Sequence, residues 1–471
     1  MTMRLLSLLL GATALLLLSL GASAQQGADT LYLSEYLQQV SQHHPLARAA
    51  RLMEEQGRME VRAARGFFDP ELGGTFDEKR YKDRTYYRIF SSDLKVNTRL
   101  GLDLKAGYDY AQGYYLNPER TVPDDGLWYA GVSLPLAQGL FFDEGRAALR
   151  AARIRQQRFQ WEQRQQLANL LYEATVAYWT WAGHRQQVQT LQNALQVARQ
   201  RYQLVQGGFA TEELPAIDTL EAFVQLQTLQ SQLLEEEQAL IKAEQEVASF
   251  YWSEEGTPLW QSQFTPSPLP PASLPDSLYG TASPAPLALA EGSPALRYYG
   301  FRLEELEADR RWKAEKLKPS LQASYNLLSS EPPLEGASSY SVNNYKFGVN
   351  FKMPLLLRNA RGELQLSRLK LEATALEQRQ KRLELTTKLE ALLGSLELLQ
   401  QQVQQNQQLA EGYRRLWQAE QQKFEFGEST LFYVNARELK YLESRLKLFS
   451  LQVKFQQQQA ELKRMLGLWE L

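Results

Sequence analysis

The amino-acid sequence predicts an α+β membrane protein in which several copies of the chain share one β-barrel, and the barrel continues as a long α-helical coiled-coil tube. Three observations lead to this fold class. The chain begins with an export signal, very long proline-free segments carry apolar residues at heptad spacing, and short stretches alternate apolar with polar residues. The same order of elements occurs twice, so we also expect an internal two-fold repeat.

Residues 1–24 are expected to be a signal peptide. Arg4 supplies the positive end, an almost unbroken apolar run follows from Leu5 to Leu20, and Ala22-Ser23-Ala24 is a small-residue cleavage site. The chain has no cysteine, so we expect neither a disulfide framework nor a lipid on an N-terminal cysteine. No later segment approaches the roughly 20 apolar residues of a spanning helix. Integral membrane contact is therefore expected from β-strands.

Two pairs of prolines mark the internal repeat. Pro45 and Pro70 enclose a helical stretch without internal proline, and Pro294 and Pro319 enclose another at the same spacing. After each pair come alternating residues, a Pro-Leu step, and a very long helical pattern with one interruption. One structural unit is therefore expected to occur twice.

The repeat divides the mature chain into three parts. We expect a first repeat over 25–252, a Pro-rich linker or equatorial region over 253–292, and a second repeat over 293–471. Within the first repeat we expect a helix over 30–66, strands within 70–136 and a long helical hairpin over 145–252. Within the second we expect a helix over 293–317, strands within 319–355 and a long helical hairpin over 362–467.

The long helical segments have the pattern of a coiled coil. Val188, Leu191, Leu195, Ala198 and Tyr202 follow alternating spacings of three and four residues. A period averaging 3.5 residues is typical of a coiled-coil seam. Each outgoing segment runs about 60 residues, or roughly 90 Å at 1.5 Å per residue, and each return segment is shorter.

The interruption of each long pattern predicts the tip of a hairpin. Gly207 and Gly208 interrupt the first, and Pro215 suits the first turn of the return helix. In the second, Gly427 suits the position after the helix end, with Ser429 or Thr430 as the next N-cap. We therefore expect two helical hairpins, with tips near Gly208 and Gly427.

Alternating stretches predict about four strands per chain. The clearest are 320–327, 345–353 and 128–134, and 71–77 alternates more weakly. Such alternation is expected where one face meets lipid and the other meets water in a lumen. The stretch Leu94 to Tyr110 also alternates, and it fits either an extracellular hairpin or one long strand.

Four strands cannot close a barrel by themselves. Open sheet edges in lipid would leave backbone groups unpaired at several kcal/mol each. Two chains would give about eight strands, whose interior is filled by side chains, whereas three give about twelve strands with an open lumen. Because a channel needs an open lumen, we expect a homotrimer with a 12-stranded β-barrel in a lipid membrane.

The composition argues against several other functions. The net charge is only −2, and positive and negative residues are interspersed along the chain, which argues against nucleic acid as a partner. The sequence has no P-loop, no G-x-S-x-G and no HExxH motif, so an enzyme is not expected. His43, His44 and His184 are the only histidines, and adjacent histidines point to different sides of a helix. No catalytic, cofactor-binding or metal-binding residues are therefore predicted.

The alternative from another class is a soluble periplasmic coiled-coil scaffold or adaptor protein. It accounts for the export signal and the heptads. It does not account for strands of membrane type at the same point in both halves, which favours a membrane channel formed by the shared barrel.

The ordered motifs resemble the TolC-like outer-membrane factor (outer membrane efflux protein) family over essentially the whole mature chain. The resembling elements are His44-Pro45 with Ser293-Pro294, Ala64 to Pro70, Pro135-Leu136 with Pro354-Leu355, and Leu214 to Ala222. The resemblance implies a trimer in the outer membrane of a Gram-negative bacterium, extending into the periplasm as a twelve-helix tube. It also implies a periplasmic adaptor (membrane fusion) protein and an inner-membrane transporter as partners, in efflux or in type I secretion. The channel itself would conduct passively.

The resemblance further implies a gate at the periplasmic tip, closed by polar networks and often by acidic rings. Where an acidic pair is expected after Gly427, this chain has Tyr433 and Ala436, so acidic residues of the first tip are the candidates instead. The predicted tip, gate and adaptor-contact residues are Gly207, Gly208, Glu212, Glu213, Pro215, Asp218, Gly427, Ser429, Thr430 and Asn435.

Overall fold

The computed structural model describes residues 30–260, 264–274, 286–332 and 339–469. The expected signal peptide at 1–24 lies outside these ranges, as do parts of the expected linker. Eight α-helices occur in the described ranges: α1 (Leu33–His43), α2 (Pro45–Arg65), α3 (Glu144–Ala210), α4 (Ala216–Phe250), α5 (Pro286–Glu291), α6 (Pro294–Glu315), α7 (Arg358–Glu425) and α8 (Leu431–Leu466). The described strands are β1 (Thr30–Leu31), β2 (Glu71–Tyr81), β3 (Arg84–Asn97), β4 (Asp103–Gln112), β5 (Leu127–Pro135), β6 (Thr265–Pro266), β7 (Ser320–Ser329) and β8 (Tyr345–Lys352).

The helix expected over 30–66 is two helices, α1 and α2, which meet at His44. Pro45 disfavours a helical conformation at the preceding residue, and His44 is extended, with φ −60° and ψ 135°. Pro45 is the first residue of α2, where a missing N–H costs nothing. The Nδ1 atom of His44 accepts a hydrogen bond from the N–H of Leu46 at 3.2 Å and so caps α2.

A single six-stranded sheet, in the order β2-β3-β4-β5-β7-β8, contains all the longer strands. Every neighbouring pair is antiparallel. The two halves of the chain meet where β5 pairs with β7, from Trp128 opposite Ser329 to Pro135 opposite Gln322. The strands β2 and β8 form the two edges of this sheet within the chain.

The expectation of about four strands per chain is therefore wrong: the sheet has six. The stretch 94–110 contains the end of β3 and most of β4, joined by a turn, so it is not one long strand. The turn lies at the helical end of the sheet, because Asn97 donates to the carbonyl of Phe67 at 3.1 Å and Gly101 adjoins Arg146. It is therefore not an extracellular hairpin. The sequence pattern does not predict the whole of β3, because arginines, tyrosines and serines disturb the alternation of apolar and polar residues along it.

The register places apolar and polar side chains on opposite faces of the sheet, since directly paired residues point the same way. One row across the six strands reads Leu72, Leu94, Ala106, Ala130, Leu327 and Tyr345. The adjacent row reads Glu71, Lys95, Lys105, Gly131, Asn326 and Lys346. We call the first the apolar face and the second the polar face. The apolar face is exposed in the single chain; Leu72, for example, is 79% exposed and Phe351 64%.

The helices α3 and α7 have 67 and 68 residues, about 100 Å each, and they return through α4 and α8. Most of the predicted seam is buried: Val188, Leu191, Leu195 and Ala198 are nearly inaccessible, whereas Tyr202 is half-buried. The four buried residues form one apolar core with residues of α4 such as Leu229 and Leu233. A second core joins α7 to α8. The helical part is therefore two packed hairpins.

The base of the first hairpin is held to the N-terminal segment and to the linker region. Tyr178 of α3 donates to the carbonyl of Leu31 at 2.7 Å, and its hydroxyl also lies 2.8 Å from that of Ser267. Burial raises the pKa of the Tyr178 phenol. The two short strands β1 and β6 pair in parallel beside this contact.

None of the helices in the described part of the chain combines the length and the apolar content that a membrane crossing requires.

Candidate functional site at the hairpin tips

Both hairpin tips are built from the same kind of helix ending. At the first tip, Glu213 N–H donates to the carbonyl of Gly208 at 2.8 Å and Glu212 N–H to that of Phe209 at 3.1 Å. At the second tip, Glu428 donates to Lys423 at 2.8 Å and Gly427 to Phe424 at 3.0 Å. This is the Schellman arrangement, in which the residue after the cap adopts the left-handed conformation.

The left-handed residue differs between the tips. Gly427 occupies that position in the second tip, with φ 73°, and has no Cβ to strain it. In the first tip the position belongs to Glu212, with φ 61°, and a left-handed non-glycine residue costs roughly 1–2 kcal/mol. Gly207 and Gly208, expected to interrupt the helix, lie in the last turn of α3 instead. They remain helical because their carbonyls accept the hydrogen bonds that end it.

The structure places the other residues predicted in the first tip at its surface. Glu212, Glu213 and Pro215 are exposed, and Asp218 is half-buried in the first turn of α4. Pro215 is the N-cap residue and α4 begins at Ala216. Within the described ranges, no ion pair involves the carboxylates of Glu212, Glu213 or Asp218. These three acids are therefore not joined into a network within one chain.

One of the residues predicted at the second tip, Ser429, contacts an acidic residue of α7. The hydroxyl of Ser429 donates to Glu420 Oε1 at 2.5 Å, and Arg437 of α8 lies 3.9 Å from Glu420 Oε2. Thr430 is the N-cap residue of α8, and its side chain makes no capping hydrogen bond. Its backbone carbonyl accepts from Tyr433 N–H at 3.1 Å.

Asn435 belongs to a buried polar cluster that ties three helices together near the tips. Arg201 of α3 contacts Glu438 of α8 through two hydrogen bonds, Nη1 to Oε2 at 2.6 Å and Nη2 to Oε1 at 3.3 Å. The same guanidinium donates to Asn435 Oδ1 at 2.9 Å, and Asn435 Nδ2 donates to Glu221 Oε1 of α4 at 3.2 Å. We call Arg201, Glu221, Asn435 and Glu438 the tip cluster.

The tip cluster is well shielded from water. The side chain of Arg201 is 11% exposed and that of Glu438 is 2% exposed. Buried ions of opposite charge require mutual pairing and further hydrogen bonds to offset their lost hydration. The double hydrogen bond and Asn435 supply both. Separating α3 from α8 here would expose or isolate two charges.

An apolar contact lies next to the tip cluster, on the side nearer the hairpin turns. Val205 of α3, Ala222 of α4 and Leu431 of α8 are buried against one another, with Tyr202 and Phe424 at the margin. Three helices from both hairpins therefore meet at this level, so the two tips are packed into one unit.

The residues predicted from the sequence include Asn435 but not its partners Arg201, Glu221 and Glu438. A signal was present in α8, where Leu431, Val434, Glu438 and Leu442 follow one buried stripe. A carboxylate on an apolar stripe is almost never left unpaired. The partner Arg201 could not be located, because its pairing depends on the packing of α3 against α8.

The histidines lie in separate surroundings. His44 caps α2, whereas the Nδ1 atom of His184 is 2.5 Å from Glu236 Oε1 on α4. Among the described residues, no group of three or more His, Asp or Glu side chains is placed to hold a metal ion.

Long apolar strips remain exposed on the helices of the single chain. The strips include Leu204, Leu234 and Ile241 on the first hairpin, and Leu398, Leu409 and Leu416 on the second. Exposed apolar surface at regular helical spacing is typical of an interface with further helices.

Comparison with known proteins gives a family match over part of the chain and a fold over nearly all of it. The model of the outer membrane efflux protein family matches residues 286–468. Curated protein sequences give no match. The fold is similar to that of the Campylobacter jejuni CmeC outer membrane channel, with a TM-score of 0.65 at 12% identity, covering 92% of this chain and 85% of that one.

Two further solved structures agree with this likeness. CusC matches with a TM-score of 0.65 at 16% identity over 94% of this chain and 95% of that one. The outer membrane protein VceC from Vibrio cholerae matches with a TM-score of 0.63 at 14% identity, over 92% and 96%. At such identities the likeness establishes the fold over nearly the full length of each chain.

The resemblance to the TolC-like outer-membrane factors is thereby confirmed. The expectation that the chain is not an enzyme is confirmed as well, because the matching family and the similar structures are efflux proteins and channels. The matching family model and the similar structures are described as outer membrane proteins or channels, which agrees with the expected location in an outer membrane.

Proposed function

We propose that this chain is one protomer of a homotrimeric outer-membrane channel that conducts substrate passively from an inner-membrane transporter and a periplasmic adaptor to the exterior. The observation that carries the proposal is the six-stranded sheet with an apolar and a polar face and two open edges, β2 and β8. Such a sheet cannot satisfy its backbone alone in a membrane, where each unpaired group costs several kcal/mol. It needs neighbouring copies.

The helices support a tube that continues the shared barrel. Each chain supplies two hairpins, and α3 and α7 are each about 100 Å long, which suits a span across the periplasm. The exposed strips, such as Leu204 and Leu398, would be covered by the helices of adjacent protomers. Three copies would give the twelve-helix tube that the resemblance implies.

The proposed division of the chain is two structural repeats, 25–252 and 293–471, separated by the equatorial region 253–292. The support is the shared order of a helix beginning at a proline, antiparallel strands and a long hairpin. Both hairpins also end in the same Schellman arrangement.

We assign the gate and the adaptor contact to the tips. The assigned residues are Gly207, Gly208, Glu212, Glu213, Pro215, Asp218, Gly427, Ser429, Thr430 and Asn435. To them we add Arg201, Glu221 and Glu438 of the tip cluster, which hold α3, α4 and α8 together in the closed arrangement. The exposed acids Glu212 and Glu213 are free to meet an adaptor or a neighbouring protomer.

The proposal that conduction is passive is supported by the sequence, which contains no nucleotide-binding motif. Energy for transport would come from the inner-membrane partner, in efflux or in type I secretion. In this proposal the tip opens when the hairpin ends move apart, which requires the contacts of the tip cluster to break.

The alternative is a soluble periplasmic scaffold or adaptor. The six-stranded sheet disfavours it, because a soluble protein would leave Leu72, Phe76, Phe347 and Phe351 exposed to water.

Fractionation of cells distinguishes the two functions. The channel should be recovered with outer membranes and require detergent for extraction, whereas recovery in the aqueous periplasmic fraction would remove the channel hypothesis. A photo-cross-linking residue at Gly208 or Gly427 should capture an adaptor, and the same residue at exposed Leu100, beside the sheet, is the matched control. Equal capture from both places would contradict the assignment of the tips.

A further inference from the structure

The first half of the chain has one more β-hairpin than the second. In the second half β7 and β8 are the only described strands between Pro319 and Pro354, whereas four strands lie between Pro70 and Pro135. The strand β2 follows its proline as β7 does, and β5 precedes its Pro-Leu step as β8 does. The hairpin β3–β4 is therefore the added part.

The added hairpin is part of the wall and does not stand apart from it. The strand β3 pairs with β2 along the whole of 71–81, and β4 pairs with β5 from Asp103 to Asp109. With 14 and 10 residues, β3 and β4 reach or exceed the 9–11 residues of a tilted membrane strand.

The faces of the added hairpin agree with those of the rest of the sheet. Phe90, Leu94, Leu104 and Tyr110 lie on the apolar face. The polar face carries Asp93, Lys95, Lys105 and Asp109. A hairpin with one lipid-type face and one charged face, bonded on both sides, is suited to line a water-filled lumen.

We infer that three copies close a barrel of eighteen strands and that the outer exit is wider than the twelve-stranded exit predicted from the sequence. This inference rests on the proposed trimeric channel. Three chains with six strands each give the eighteen strands of the barrel. Barrel diameter grows roughly linearly with strand number, so the exit is about 1.5 times wider. Barrels of 16–18 strands leave an aqueous channel, which fits bulky hydrophilic cargo.

The edges of the sheet suit such closure by further copies of this chain. Neighbouring strands alternate in direction, so β2 and β8 run in opposite senses and β8 of one copy can pair antiparallel with β2 of the next. The apolar face continues across the junction, since Leu72 and Phe76 on β2 match Phe347 and Phe351 on β8. All four side chains are exposed in the single chain.

Disulfide trapping tests the closure directly, because the chain contains no cysteine. A chain with Leu72→Cys and Phe351→Cys should form a covalent trimer as its largest species when oxidised in membranes. The matched control pairs Ala106→Cys with Phe351→Cys, since Ala106 lies on the same row as Leu72 but two strands inside the edge. A covalent dimer as the largest species, or cross-linking of the control alone, would overturn the eighteen-stranded barrel.

A deletion tests the width of the exit. Removing 82–112 joins β2 to the loop before β5 and leaves four strands per chain. A cysteine at Gln322, on the polar face near the helical end, is then labelled from outside the cell with polymer maleimides of graded size. The full chain should admit reagents about 1.5 times wider than the deletion variant admits.

The outcomes separate the inference from the proposed function. Equal size limits in the two chains would overturn the wider exit while leaving the channel intact. If the deletion variant does not assemble, the disulfide result on the full chain decides the strand number. If Gln322→Cys in the full chain is closed to every reagent from outside, the inference fails, and the channel is then judged separately by fractionation.

Discussion

The substitution Glu438→Gln removes one charge from the tip cluster while keeping the shape of the side chain. Glu438 is 2% exposed and makes two hydrogen bonds with Arg201, at 2.6 and 3.3 Å. An amide offers one acceptor in place of two and no charge, so the Arg201 guanidinium is left buried with only part of its pairing. The contact between α3 and α8 should weaken at this level.

The magnitude follows from burial. Removing one partner of a buried ion pair costs about 3–5 kcal/mol. Because glutamine retains one acceptor, we expect the contact between α3 and α8 to lose about 3 kcal/mol per protomer. At about 1.4 kcal/mol for each factor of ten, the equilibrium constant for local opening should rise by roughly two orders of magnitude.

Hydrogen exchange of the purified protein measures this opening. Amides around 431–442 of α8 should exchange roughly 100-fold faster in Glu438→Gln, while amides at the base of the hairpins are unchanged. The matched control is Glu443→Gln, which removes an exposed partner of Lys440 on the same helix and should leave exchange as in the wild type. Equal exchange in Glu438→Gln and Glu443→Gln would refute the assignment of the tip cluster as the contact that holds the hairpin ends.

Three further predictions concern separate parts of the chain. Glu212→Gly should stabilise the first tip by about 1 kcal/mol, because glycine adopts φ 61° without strain. Hydrogen exchange of the amides at this tip should therefore become slower, and faster exchange would contradict the prediction. Leu431→Ala should lower the free energy of unfolding by about 2–5 kcal/mol, because the side chain is fully buried. In thermal melts its control is Phe432→Ala, on the exposed side of the same turn, which should lower the stability less. Burial lowers the pKa of His44, so the folded chain binds fewer protons than the unfolded chain as the pH falls. The stabilisation that comes from keeping His44 neutral is fully present above about pH 6.5, and it should be lost as the pH falls through the folded pKa. His44→Asn keeps a capping side chain and should flatten the pH dependence of the melting temperature; an unchanged slope would exclude His44 as the cause.

Features with strong local signals were predictable from the sequence. The seam from Val188 to Ala198 is buried as its spacing predicts, and Gly427 adopts the left-handed conformation that a helix end favours. These signals are local because heptad spacing and helix termination depend on a few neighbouring residues.

Features that depend on partners distant in sequence were predicted less well. The strand β3 carries a mixture of charged, aromatic and small residues, and it forms because β2 and β4 pair with it on both sides. The first hairpin turns at Glu212 although two glycines precede it, because the carbonyls of Gly207 and Gly208 complete the helix end. The pairing of Arg201 with Glu438 spans 237 positions, so no local pattern could predict it.

Conductance of the purified protein in a planar lipid bilayer tests the central claim most directly, since only a channel shared among copies gives ions a water-filled path. We predict discrete current steps from detergent-extracted trimers, with longer open times in Glu438→Gln than in the wild type. A silent bilayer after verified insertion of either protein would contradict the account.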